Sequence, residues 1–364
     1  MTAPGPSFLR RHAVKLVASA LITAGVIYTA QQGGLKLVPD GGDFGAVNWW
    51  ALALYVPLFL AVTWFRSVRW RFLLRSVIEV PKVRLLAVSC AGFLAILLLP
   101  FRLGELVRPY MLRDKQLSMT TATSTIVAER VIDGLFISIV LAITLVLVPT
   151  IEPLPDRVVG LPLSVAYVRG MGFVMLGVFS TALVVIAVFY FARNFAQRAT
   201  RAVIGKVSPR LADKLAGIAG NLADGLHVFG RGRDLVGFVF ETAAYWALNA
   251  LGMWVLAAAC GVVHADGSAI TFPEAVALMG MLSCTILIPG PPGLLGVFQA
   301  GIYAGMSMYF PTPIVTGPGA AFVFLLYASQ VLTTVATGAW GVWHEGGTSR
   351  LRESLNEPPI ADAA

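Results

Sequence analysis

The sequence predicts an all-α fold: a polytopic membrane helical bundle of about six full spans plus two re-entrant helical hairpins in an inverted repeat. Three observations carry that prediction. Hydrophobic residues make up 57% of the 364-residue chain, charged residues only 13%, and mean hydropathy is +0.78. All but three of the 27 Lys and Arg residues fall on one side when the apolar segments are threaded in order; the exceptions are Lys36, Arg157 and Arg169. Two apolar segments are too short to cross, and each ends in a proline–glycine break. A soluble domain has about 25% charged residues to solvate its surface. This composition excludes a freely soluble enzyme, a nucleic-acid binder and a disordered tail.

The elements follow in order, each crossing needing about 20 apolar residues. Residues 13–30 form a first span behind Arg10, Arg11 and Lys15. A cleaved signal peptide is the rival reading, with Thr29 and Ala30 near a cleavage position. A retained helix is preferred, because the rest of the chain is membrane-embedded. Residues 47–65 form the second span, opened by the interfacial pair Trp49 and Trp50. It ends in a basic edge of Arg66, Arg69, Trp70, Arg71 and Arg75, where the Arg69-Trp70-Arg71 cluster reads as anchoring the inner interface by snorkelling and anionic lipid, with a headgroup contact as the second reading. Residues 85–99 are short, with basic residues on both sides, and read as re-entrant. Residues 131–149 and 166–192 span.

Segment 193–234 holds eight basic residues, with Leu211, Leu215, Ile218, Leu222 and Leu226 at helical spacing. It reads as an amphipathic stretch on the inner leaflet, or equally as a solvated connector. Residues 235–263 and about 319–343 are the last spans, and 346–364 are a polar tail. Between them, 273–288 end in Pro289-Gly290-Pro291-Pro292-Gly293, which forces non-helical backbone. Such backbone at membrane depth survives only against protein or a wet cavity. The charge bias puts both termini in the cytoplasm, with the chain in the inner (plasma) membrane.

The two breaks resemble each other. Each is an apolar run closed by proline with glycine four residues on: Pro100 to Gly104, and Pro289 to Gly293. Each is flanked by spans, giving halves at about 47–149 and 235–343 within one domain, 1–345. On the charge count the first hairpin enters from the cytoplasm and the second from outside, hence the inverted repeat.

Charges cluster beside the first break. Arg102, Glu105 and Arg108 recur every three residues and share a broad helix face. Glu129 and Asp133 are four apart, with Arg130 beside them. Charges near hydrocarbon pair or line a pathway. Two readings stay open: an arginine–carboxylate network pinning the hairpin, or a pocket for a charged headgroup, where arginine suits phosphate. Glu241 reads as capping or snorkelling, and Gly301 with Gly305 as helix packing. Cys90, Cys260 and Cys284 read as buried thiols. The four histidines are scattered, so no metal site and no cofactor is expected, and no catalytic motif or ATP-binding loop is present.

Four runs together resemble one family: RSVRWRFLLR at 66–75, LLPFRLGELVRPYMLR at 98–113, ERVIDGLF at 129–136 and IPGPPGLLGVFQAG at 288–301. They resemble the lysylphosphatidylglycerol synthase transmembrane-domain family, also called flippase-like, over roughly 10–345. The resemblance implies a polytopic helical bundle that translocates a lipid. The family's best-known members add a cytosolic aminoacyl-transferase domain, and the roughly 19 residues after 345 are too few for one. Translocation without synthesis is therefore expected, driven downhill or by an ion, with membrane lipid as partner and a separate lipid-modifying enzyme as a further one. On this reading Arg102 and Arg108 hold phosphate. Glu105, Glu129 and Asp133, with Arg130 beside them, balance the site, and Pro289, Gly290, Pro291, Pro292 and Gly293 close the pathway from the other side. The alternatives are a membrane-embedded glycosyl- or acyl-transferase and a non-transporting partner in envelope assembly.

Overall fold

The computed structural model describes residues 37–75, 77–113, 116–158, 164–203, 206, 208–210, 212–213, 217, 232–286 and 291–346. The expected first span (13–30), the polar tail, Pro289 and Gly290 lie outside them, as do Leu211, Leu215, Ile218, Leu222 and Leu226. Among the described residues the chain is all-helical, apart from one isolated bridge between Val263 and Ala269.

Helix α1 (Trp50–Val68) runs through a single turn at Arg69 into α2 (Trp70–Leu74). The apolar stretch thus extends over Trp49–Leu74 rather than stopping at 65. Helix α3 (Lys82–Leu98) leads into a 3-10 segment (Pro100–Leu106) and the short α4 (Val107–Leu112). Ser118 then starts α5 (Met119–Leu147), its hydroxyl accepting from the Thr121 amide at 3.1 Å, which satisfies one orphan donor of the first turn.

Helices α6 (Val165–Phe191) and α7 (Arg193–Val203) follow. Helix α8 (Gly232–Ala259) returns, and a Thr271–Glu274 capping box opens α9 (Phe272–Thr285). A 3-10 turn (Pro292–Leu294), α10 (Val297–Met306), α11 (Thr312–Thr316) and α12 (Pro318–His344) complete the chain. Four helical stretches among the described residues are long and apolar enough to cross a membrane: Trp49–Leu74, Met119–Leu147, Gly232–Ala259 and Thr312–His344.

The α3 and α9 arms are shorter. At about 1.5 Å per residue, 17 and 14 residues reach about 26 and 21 Å, less than the roughly 30 Å of hydrocarbon. Their packing is reciprocal. Helix α1 lies along α8, the first arm α3 along the last span α12, and the second arm α9 along α5. The two 3-10 turns also touch.

Small residues permit these approaches, as is usual where helices meet without a hydrophobic driving force. A Cβ on Gly341 would meet the backbone of Ala87 and Ala91. Gly301 and Gly305 bring α10 against α9, the packing role their spacing suggested. One apolar cluster gathers α9, α10 and α12 with Tyr55 and Leu141; a second surrounds Trp70, Leu85, Val107 and Phe238.

Gly341→Leu should wedge α12 away from α3 and cost about 1–3 kcal/mol, lowering the thermal midpoint followed by tryptophan fluorescence in detergent. Gly177→Leu, where an added Cβ meets nothing within 4 Å, should leave that midpoint in place.

Candidate functional site

The site begins with an arginine that the sequence placed at the membrane edge. Arg69 is 0% exposed and Trp70 is equally buried, so neither anchors an interface. Helix α1 continues past Arg66, and the turn at Arg69 points the guanidinium into the bundle. There Nη1 donates to Asp133 Oδ1 (2.6 Å) and Thr242 Oγ1 (2.9 Å). Nη2 donates to Asp133 Oδ2 (2.6 Å) and Glu129 Oε1 (3.0 Å). The planar fork of arginine matches the two carboxylate oxygens of Asp133 in parallel. The rings of Tyr245 and Phe238 lie 4.6 and 5.3 Å from its Cζ, adding cation–π attraction where water is excluded.

Arg108, 1% exposed, lies behind this clamp. It reaches Glu129 at 3.4 Å from both Nη atoms and stacks 4.5 Å from the Trp70 ring. The Trp70 indole in turn donates to Thr125 Oγ1 at 2.9 Å. Arg130 donates to Glu129 at 2.9 Å and approaches Asp133 at 3.5 Å. Two carboxylates one turn apart on α5 are thus shared among three guanidiniums. Beside this network, Arg71 holds Glu241 through two hydrogen bonds of 3.0 and 2.5 Å. Glu241 is an ion-pair partner rather than a cap or a snorkelling end.

In front of the network is a cavity of about 240 Å³. Its charged lining is Arg66, Arg102, Arg130 and Asp133; its uncharged polar lining includes Asn249, Ser283, Tyr327, Gln330 and Thr334. Phe59, Phe93, Ile96, Leu97, Leu282, Ile286 and Phe298 supply apolar walls. The first break turns at Arg102, whose φ of +58° is left-handed, a conformation costing a non-glycine residue about 1–3 kcal/mol. That turn aims the guanidinium across the cavity mouth. Nε and Nη2 donate to Glu105 Oε1 at 2.9 and 2.5 Å, and Nη1 donates to the carbonyl of Ile286 at 2.7 Å. Arg102 therefore caps the C-terminal end of α9 from the opposite break. In the second break Gly293, at φ +69°, accepts from the Tyr327 hydroxyl at 3.0 Å and also lines the cavity.

The structure brings Arg102, Arg130, Asp133 and Gly293 to the cavity. Arg108 and Glu129 sit behind it, Glu105 orients Arg102, and Pro291 and Pro292 shape the second turn without lining it. Sequence reasoning missed Arg66, Arg69, Tyr245 and Gln330. The signal was present for two of them: Arg66 and Arg69 are three residues apart inside one continuous apolar helix, the rule applied to Arg102 and Glu105 but not here.

A family model described as the lysylphosphatidylglycerol synthase TM region matches residues 15–338. No curated protein and no solved structure compared with the chain gives a match.

Arg69→Met leaves Asp133 and Glu129 short of a partner in the bundle interior. Breaking a buried pair from one side costs about 3–5 kcal/mol, so the purified variant should melt far below the parent. Adding Asp133→Leu removes the stranded charge and should recover part of the loss. A double variant no more stable than the single one would mean that Asp133 is not the principal partner of Arg69.

Proposed function

The chain belongs to the lysylphosphatidylglycerol synthase TM-region family, and on that premise we propose that it translocates a phosphate-bearing lipid across the bacterial inner membrane. The observation that carries this reading is the cavity. Three guanidiniums converge on a space with apolar walls inside a membrane bundle, and intramembrane charges of this kind mark substrate pathways.

We also read the two breaks as re-entrant hairpins and the halves as an inverted repeat. The reciprocal packing of α3 on α12 and α9 on α5 supports this, as does the meeting of both breaks at one cavity. In such architectures the two halves rock about a shared central site. Arg102, bonded to Glu105 within its own break and to Ile286 at the other, is placed to sense that motion. A transferase using the same carboxylates would need one free to take a proton. Both oxygens of Asp133, and both of Glu129, accept from guanidiniums, which argues against either of these two as a base; Glu105 is held through one oxygen only.

Two experiments test the proposal. Proteoliposomes with fluorescent phospholipid should show inward–outward exchange, read by dithionite quenching, above that of protein-free vesicles. Arg102→Lys keeps the charge but not the fork that serves Glu105 and Ile286 together. It should lower exchange by about tenfold, the equivalent of one charge-assisted hydrogen bond, while thermal stability stays near the parent. Parental exchange by a stable Arg102→Lys protein would take Arg102 out of the pathway. For topology, single cysteines at the exposed positions Gln116 and Ser268 should react with an impermeant maleimide from inside and outside respectively. Labelling from the same face would refute the inverted repeat.

A further inference from the structure

The charges around the cavity do not balance, and the imbalance defines the occupant more narrowly. Three arginine–carboxylate pairs can be drawn one to one: Arg69 with Asp133 at 2.6 Å, Arg108 with Glu129 at 3.4 Å, and Arg102 with Glu105 at 2.5 Å. Two guanidiniums are left over. Arg108 and Arg130 compete for Glu129, at 3.4 and 2.9 Å, so one positive charge is left between them. Arg66 has no carboxylate within ion-pair distance among the described residues; its Cζ rests 4.4 Å from the Phe93 ring. Arg66 and Arg130 line the cavity, and Arg108 lies behind it. Two further donors lack acceptors there: the Nε of Arg130 and the indole N–H of Trp246 are buried without hydrogen-bond partners, and both side chains line the same space.

Two positive charges in excess of the carboxylates therefore lie around one pocket. Arginine stays protonated, and the described residues offer no further carboxylate at ion-pair distance, so a bound anion is the fitting counter-charge. Leaving each charge unpaired at this depth is costly. A phosphodiester headgroup supplies one negative charge and a zwitterionic headgroup none. A phosphomonoester supplies nearly two above its second pKa of about 6, with three acceptor oxygens. The cavity volume of about 240 Å³ is below the roughly 300–1,000 Å³ of sites for drug-sized ligands, so it takes a headgroup and leaves the chains to the bilayer.

Building on the translocator reading, we propose that the substrate class is a lipid phosphomonoester or lipid diphosphate, and that Arg66 is the ligand for its second charge.

The test is lipid binding to the purified full chain, by native mass spectrometry, with phosphatidic acid, phosphatidylglycerol and phosphatidylcholine of matched chains. Inorganic phosphate and pyrophosphate form a separate arm. Phosphatidic acid should be preferred over phosphatidylglycerol by about tenfold at about pH 8, the scale of one added charged hydrogen bond. The preference should shrink towards about pH 5, where the second phosphate proton returns. Arg66→Gln removes one surplus charge, and the isosteric Asn249→Asp offsets one from another wall. Each should abolish the preference while phosphatidylglycerol binding changes far less. Equal binding of the two lipids by the parent, or a preference surviving in either folded variant, overturns the assignment. So does tight binding of inorganic phosphate or pyrophosphate without any lipid preference, which would make this a site for a soluble anion. The two readings separate cleanly. Selective phosphatidic acid binding without exchange in proteoliposomes keeps this assignment and removes translocation. Equal exchange of both anionic lipids keeps translocation and removes this assignment.

Discussion

Arg69, fully buried, finds its counter-charge inside the protein and makes four hydrogen bonds. Those bonds tie the turn between α1 and α2 to α5 through Asp133 and Glu129, and to α8 through Thr242. Three spans thereby acquire one register, because a helix slid by one turn would strand at least one full charge. Hydrophobic packing alone sets no such register in lipid, where side chains gain little by exchanging bilayer for protein. The same clamp fixes Trp70, which lies next in sequence and buries its ring against Arg108. The second apolar cluster grows around that tryptophan.

The cavity is a consequence of the two breaks meeting against this fixed wall. Each break leaves helix-end backbone groups to be satisfied inside the bundle. Arg102 meets part of that need by capping Ile286, and Tyr327 meets another part at Gly293. Gln330, one turn further along α12 from Tyr327, reaches Tyr55 on α1 at 3.0 Å. The α12 face that closes the cavity is thus joined to the wall on one side and to the second break on the other. These polar contacts join α1, α12 and the second break into one wall of the cavity.

The arginines divide by what they touch. Arg69 and Arg108 are enclosed by carboxylates and rings and serve the fold. Arg102 is shared between a carboxylate and a carbonyl and serves the junction of the breaks. At the cavity surface Arg66 has no carboxylate partner among the described residues, and Arg130 shares Glu129 with Arg108. Side-chain chemistry is identical in all five, and burial and carboxylate count separate them.

Much of this was legible in the sequence. Apolar composition required a helical membrane bundle, since only helices or closed barrels satisfy their backbone in lipid. Pro100 and the Pro289–Gly293 run marked the breaks, and Glu129 and Asp133 declared a shared helix face by their spacing of four. The fate of the basic run at 66–75 was not legible. Read along the chain, it looks like an interfacial edge, and its tryptophan strengthens that impression. Only the tertiary structure shows the continuing helix placing Arg69 opposite carboxylates about 60 residues away, with Arg66 at the cavity. Local pattern says where a charge lies along a helix. Whether it is paired depends on which helix faces it, and that is decided by packing between segments distant in sequence.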